Sequence, residues 1–331
     1  MSAEAAEEPG EAVTTRGTIG VELGRRPLFY AVLAPFWAWL LVRWAYDWVV
    51  EPGTNVTARE PFFPTEPFVA AGETLRGVAA GAPAPVGGVL DWLAGGFDFV
   101  AFGLEALPQL AAGAWVTVVL TVVSILAGLV LAVPLSVARV YGTRAVRYPA
   151  LAVTELVRGT PLLAQLFVLY FGLGLTKYVR EVPGVGVGVL PDTAVVVGLI
   201  GFTVNSAAYQ SEYIRSALLS VESGQLTAGR AIGLSKVAAI RHVVLPQGLR
   251  FAIPGWSNEL IYLIKYSSLA SFITVRELFF RAEAIGNETY LFVEVYSVAA
   301  LFYLALVVSA SAFMSYVESR VAIPGLGTTG R

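Results

Sequence analysis

The chain has 331 residues, of which 56% are hydrophobic and only 14% charged, with a mean hydropathy of +0.69. A soluble domain carries roughly 25% charged residues, so this composition excludes a disordered chain and argues for one that uses lipid as solvent. The net charge of −2 gives no bulk attraction to nucleic acid. The lack of cysteine removes disulfides and thiolate chemistry, and the single His242 leaves no basis for a metal site or a Ser–His–Asp triad.

In chain order, residues 1–27 read as an acidic tail on the cytoplasmic side. Glu4, Glu7, Glu8, Glu11 and Glu22 oppose a basic signal-peptide start. The stretch 28–50 is the first candidate span. It holds Arg43 and Asp47, four apart on one helix face, which can neutralise each other, and four tryptophans (Trp37, Trp39, Trp44, Trp48) that suit an interfacial belt. Residues 51–107 are rich in glycine and proline, so the expectation is a loosely structured extracytoplasmic segment with a short amphipathic piece near Val89 to Leu107.

Five further apolar windows follow. Leu110 to Ala138 and Val295 to Val317 carry no charge, Thr193 to Ser211 is nearly as clean, and Pro161 to Thr176 is uncharged. Phe251 to Thr274 is apolar overall but holds Glu259 and Lys265. A helix needs about 20 apolar residues to cross the hydrocarbon, so the sequence predicts an all-α polytopic membrane protein of about six spans. Arginine bias sets the orientation. Arg139, Arg144, Arg147 and Arg158 lie in one connection, and Arg215, Arg230, Lys236, Arg241 and Arg250 in another, whereas 51–107 holds two basic residues against seven acidic ones. Both termini are therefore expected in the cytoplasm, with 321–331 as a second cytoplasmic tail.

The connection from about Leu218 to Arg250 reads as helix, turn, helix. Gly233 sits at a left-handed C′ position, Ser235 is an N-cap, and Pro246 is expected to close the second helix. Leu226, Ile232, Leu234, Val237 and Ile240 are apolar knobs with two possible fates: packing back on their own bundle, or docking into a groove on a cytoplasmic partner.

This segment resembles the signature of ABC importer permeases for polar amino acids, which runs Glu-Ala-Ala, three residues, Gly, nine residues, Ile, any residue, Leu-Pro. The chain has Thr227-Ala228-Gly229, then Gly233, Leu234 and finally Val243-Val244-Leu245-Pro246 at matching spacing. Glu155 to Gln165, Asn205 to Tyr209 and Ser267 to Ser271 resemble further blocks of that family. The likeness covers roughly 108–320 and implies a five-helix core carrying one extra N-terminal helix. It also implies coupling to cytoplasmic ATPase subunits through Thr227, Ala228, Gly229, Gly233, Leu234, Leu245 and Pro246. Further implied partners are a second permease subunit, identical or paralogous, and an extracytoplasmic substrate-binding protein. Thr227 stands where the signature has Glu and Gly229 where it has Ala, so a charge-assisted contact worth about 1.5–3 kcal/mol is absent.

Candidate path residues come from helical spacing. Asn258, Glu259, Tyr262, Lys265 and Tyr266 fall within a sector of roughly 120°, and Asn205, Tyr209 and Glu212 repeat at i, i+4, i+7. Polar stripes at membrane depth need a cavity or a partner helix. A substrate carboxylate would meet Lys265 and an ammonium Glu259, unless those two pair with each other inside the bundle. Likewise Glu212 can pair with Arg215, and Glu155 with Arg158. No phosphate-binding Gly-x4-Gly-Lys-Ser/Thr loop occurs, so the chain carries no cofactor of its own, and ATP and Mg belong to the partner ATPase. The function expected is permeation of a polar amino acid by alternating access. An ion-gradient secondary transporter is the alternative, although inverted repeats are not visible.

Overall fold

The computed structural model describes residues 27–50, 60–186 and 191–321, which are helical in the main. The N-terminal tail before Pro27 and the C-terminal tail after Val321 lie outside the described residues.

Helix α1 is Pro27–Val50. Its tryptophans do not form the interfacial belt expected from sequence, because two of them pack inward. Trp44 is 7% exposed and donates from Nε1 to the Ala111 carbonyl at 2.7 Å, while Trp37 donates to Ser309 Oγ at 2.7 Å. Only Trp48 is largely open. Arg43 and Asp47 form the expected pair at 2.8 Å, both almost fully buried, and Arg43 also donates to the Glu60 carbonyl.

Residues 66–107 depart from the expected loose segment. Helix α2 (Glu66–Ala79) folds back on the start of α3 (Ala84–Tyr141), and α3 runs without interruption for 58 residues. At 1.5 Å per residue α3 is about 87 Å long, almost three times the hydrocarbon thickness. The glycines read as loop signals act in packing. A Cβ at Gly87 would lie 3.0 Å from the Ala79 carbonyl oxygen, and one at Gly72 would lie 2.9 Å from Asp98 Oδ1. Arg76 and Asp98 close the hairpin with an ion pair.

Helix α4 (Arg144–Arg158) meets α5 (Leu162–Phe167) at a bend of 101°, and a π-helical turn, Val168–Gly172, extends α5. The predicted third span, 161–176, begins at that bend and is helical only to Gly172, so it is not one straight helix. Gly174 turns left-handed before α6 (Leu175–Arg180). Pro161 disfavours the α conformation at Thr160, and the amide of Gln165 ties the corner by donating to the carbonyls of Val157 (2.6 Å) and Thr160 (2.9 Å).

Helix α7 (Thr193–Ser220) starts at an Asp192 N-cap whose Oδ1 accepts from the Val195 amide at 3.0 Å. The coupling-like segment comprises α8 (Ser223–Ala231) and α9 (Lys236–Ala239), followed by α10 (Leu245–Tyr266) and a 3-10 stretch, Ser267–Ile273. Then come α11 (Leu278–Thr289) and α12 (Phe292–Val321). Among the described residues, three helices, α3, α7 and α12, are long and apolar enough to cross a membrane, giving up to four spans if the bent α4–α5 pair is one. Helix α10, at 22 residues, has a rise of about 33 Å and matches the hydrocarbon thickness in length.

The core has two main layers. Leu40, Leu110, Leu278, Val295 and Phe302 join α1, α3, α11 and α12. Leu120, Leu166, Phe202, Leu263 and Ile273 join α3, α5, α7 and α10. Glu277 pins the first layer from within. Its carboxylate caps α11 at the Phe279 and Phe280 amides (2.9 and 2.8 Å) and accepts from the Tyr303 hydroxyl at 2.9 Å.

Candidate functional site

The helix–turn–helix segment from Ser223 to Ala239 forms as its local chemistry dictates. Gly233 has φ +94°, and the Gly233 and Leu234 amides donate to the carbonyls of Arg230 (3.0 Å) and Gly229 (3.2 Å). This pairing is a Schellman stop. Ser235 Oγ accepts from the Ala238 amide at 3.2 Å and starts α9. Pro246 does not end that helix as expected. A π-helical turn, Ile240–Val244, absorbs the residue that cannot donate, and the chain continues directly into α10.

The apolar knobs divide between the two fates. Ile240 is buried, and Leu226 and Leu234 are half-buried, whereas Ile232 is 81% and Val237 74% exposed. Thr227 and Ala228 are exposed and Gly229 is buried against α9, where a Cβ would stand 3.2 Å from that of Ala239. Leu245 is half-buried and Pro246 exposed. His242 is exposed, with Nδ1 2.9 Å from the Ala238 carbonyl oxygen. Lys236 donates to the Tyr141 carbonyl at 2.9 Å, which places this segment at the C-terminal end of α3.

Beside it lies a network larger than the two separate pairs expected. Arg139, 7% exposed, reaches Glu212 at 2.8 Å and Glu155 at 3.5 Å. Arg158 lies 3.3 Å from Glu155 and 3.6 Å from Glu212, and Arg215 pairs with Glu212. The Arg158 guanidinium also sits 5.5 Å from the centre of the Tyr209 ring. Five charged side chains from α3, α4 and α7 thus hold the bundle end together. Arg139 is the member that sequence spacing misses, because it lies more than a dozen residues from either glutamate.

The stripe on α10 splits in two. Asn258, Tyr262, Lys265 and Tyr266 are exposed, and the Tyr262 and Tyr266 rings stack 5.8 Å apart with Lys265 Nζ 5.9 Å from the Tyr262 centre. Glu259, at the edge of the same sector, is 4% exposed, with the Ser206 hydroxyl of α7 as its hydrogen-bond partner. Among the described residues, Glu259 and Lys265 make no ion pair with each other. Asn205 is 6% exposed and donates its side-chain amide to Gln165 Oε1 at 3.2 Å, so its polar atoms serve the α4–α5 corner. Sequence spacing also misses Gln165 and Glu277, which act on elements distant in the chain. The position of Glu277 directly before Leu-Phe-Phe is the available N-cap signal.

This architecture combines a bundle of long apolar helices, an exposed helix–turn–helix and an open polar face on α10. Residues 124–323 match the family described as binding-protein-dependent transport system inner membrane component. The chain belongs to this family. It is similar to the probable amino-acid ABC transporter permease YckA of Bacillus subtilis (strain 168), at 38% identity over 219 residues, which cover 66% of this chain and 92% of that one. The glutamine transport system permease GlnP of Escherichia coli (strain K12) is 34% identical over 227 residues, 69% and 99% of the two chains. Among solved structures, an amino acid ABC transporter with histidines is similar at a TM-score of 0.57 and 28% identity, covering 67% of this chain and 98% of its own. The inward-facing MetNI methionine ABC transporter shares the fold at a TM-score of 0.51 and 21% identity, over 65% of this chain and 97% of that one. The permease is therefore a multi-pass membrane component of a transport system that works with a binding protein. Its family is that of the non-catalytic membrane subunit, which leaves the ion-gradient alternative without support. Helices α1 and α2, and α3 up to residue 123, lie outside the family match.

Proposed function

We propose that the permease translocates a polar amino acid inward across the cytoplasmic membrane by alternating access, driven by separate ATPase subunits that carry the ATP and Mg. The projecting α8–Gly233–α9 turn carries this reading. It presents Ile232 and Val237 with no cover, at the end of the bundle where the basic connections cluster. An apolar, helical projection of this kind fits helix-in-groove docking on a cytoplasmic subunit. Thr227, Ala228 and Pro246, exposed beside it, complete the docking surface, while Gly229, Gly233, Leu234 and Leu245 fix its shape.

The exposed face of α10 supplies the path. Tyr262, Lys265 and Tyr266 are too polar to face lipid, so a second permease subunit, identical or paralogous, covers them and closes a channel between the two copies. Lys265 attracts the substrate carboxylate and Asn258 offers an uncharged hydrogen-bonding amide. Glu259, Asn205 and Tyr209 hold α10, the α4–α5 corner and the charge network behind that wall. The arginine bias supports a cytoplasmic side for both termini and α8–α9 and an outer side for residues 51–107, where the binding protein would deliver substrate. ATP-driven closure of the ATPase pair shifts the balance between outward- and inward-facing states through differential contacts at α8–α9.

The test is reconstitution of the permease with its ATPase and binding protein in vesicles, followed by uptake of labelled acidic, basic and amide amino acids. Uptake that needs ATP and the binding protein is the result expected. Uptake unchanged by ATP depletion overturns the reading.

A further inference from the structure

A cavity of about 310 Å³ opens at the coupling end of the bundle, between the ends of α3 and α7 and the start of α4. Six residues line it: Arg139 and Val140, Arg147 and Leu151, Arg215 and Leu219. Three arginines share the lining with three aliphatic residues, and no acidic residue is among them.

The two nearby glutamates are already engaged. Glu212 binds Arg139, Arg158 and Arg215, and Glu155 binds Arg139 and Arg158. Arg147 makes no ion pair or hydrogen bond among the described residues. Counting Arg158, which shares these two glutamates, the pocket has four arginines against two acids, a surplus of two positive charges. Gathering like charges at one pocket costs energy that a bound anion relieves. The planar fork of a guanidinium matches a tetrahedral oxyanion such as phosphate.

The aliphatic half of the lining narrows the ligand further. Leu219 is 59% exposed, so the cavity runs from a cationic floor to an open apolar rim. Helix α4 carries Val146, Val153 and Leu156 exposed on its other side, as a helix lying at a lipid interface does. A basic pocket between helices at that depth suits a lipid head group.

We propose that this pocket binds a phosphate group, presented by an anionic phospholipid of the leaflet next to the coupling segment, with its chains leaving over Leu219 and Val140. Free inorganic phosphate offers the same oxyanion without the chains. The site is distinct from the path on α10 and requires neither the proposed substrate nor the proposed orientation.

The test uses the full chain purified with its transporter subunits in mild detergent, with retained lipid read by native mass spectrometry. The probes are phosphatidylglycerol, diacylglycerol with the same chains, and inorganic phosphate. Phosphatidylglycerol should be retained and diacylglycerol not. Arg147→Gln should weaken retention about fivefold, the worth of one arginine near an anionic surface, while Arg144→Gln, outside the pocket, leaves it unchanged. Displacement of the lipid by millimolar inorganic phosphate supports the same phosphate site with a free ion as occupant. Equal retention of the two lipids, or equal weakening by the two variants, overturns the proposal. Because transport is never measured, failure here is separable from failure of the importer reading.

Discussion

Asn205 in the middle of α7 donates its side-chain amide to Gln165 on α5, 3.2 Å away, and so locks the outer wall of the bundle to a corner bent by 101°. Gln165 carries the larger share, since its own amide, reaching back from α5, satisfies the Val157 and Thr160 carbonyls at the end of α4 and in the bend. A net hydrogen bond is worth about 1 kcal/mol, so Gln165→Ala should cost about 2–3 kcal/mol and Asn205→Ala about 1. Thermal midpoints in detergent should rank wild type, Asn205→Ala, Gln165→Ala from highest to lowest. Equal midpoints for the two variants would show that the corner does not depend on Gln165.

The turn at Gly233 makes the second prediction. An L side chain at φ +94° is strained by about 1–2 kcal/mol, so Gly233→Ala should shift α8 relative to α9 and lower recovery of the ATPase in pull-downs. Gly229→Ala needs its neighbours to yield only a few tenths of an ångström, and should retain coupling. Gly229→Leu should not.

Ile232 and Val237 test docking directly. Each side chain is open, so Ile232→Asp with Val237→Asp should leave thermal stability within about 0.5 kcal/mol of wild type. The same double variant should abolish co-purification of the ATPase. Retention of the ATPase would place the contact elsewhere.

For the path, Lys265→Ala should abolish uptake while the protein still elutes as a folded complex in gel filtration. Lys265→Arg should keep part of the activity by preserving the charge. Normal uptake by Lys265→Ala would remove the residue from the path.

The pair in α1 gives a stability prediction. Arg43 and Asp47 are buried together, so replacing Asp47 by Leu leaves the Arg43 guanidinium beside the neutral Glu60 carbonyl and should cost about 3–5 kcal/mol. Arg43→Leu combined with Asp47→Leu should recover much of that loss in thermal unfolding. A double variant as unstable as the sum of the singles would show that the two residues act independently.

Features governed by local chemistry are legible in the amino-acid sequence. Gly233 and Ser235 announce a stop and a start within three residues, and Arg43 with Asp47 share a face by spacing alone. Sequence misleads where a distant element overrides local preference. Gly87 and Gly72 look like loop residues, yet each lets α2 and α3 approach so closely that an added Cβ would lie 2.9–3.0 Å from an oxygen of the other helix. Pro246 looks like a terminator, but a π turn accommodates it. Trp44 looks like a belt residue until the Ala111 carbonyl is brought to its indole. Glu259 and Lys265 share a stripe by spacing but differ in the fold, Glu259 being covered beside Ser206 of α7 and Lys265 left open. The Ala111 carbonyl and the Ser206 hydroxyl each lie far along the chain from the side chain they redirect.

Helix α3 has a mechanical consequence. It joins the membrane core to a hairpin at the end opposite the coupling segment, and α2 braces that hairpin along its length. The 24 residues from Ala84 to Leu107 form a lever arm of about 36 Å, so each degree of core tilt moves its tip by about 0.6 Å. A spin label or fluorophore near Trp92, which is 75% exposed, would therefore act as a pointer, turning small rotations of the membrane core into distances large enough to follow through a transport cycle.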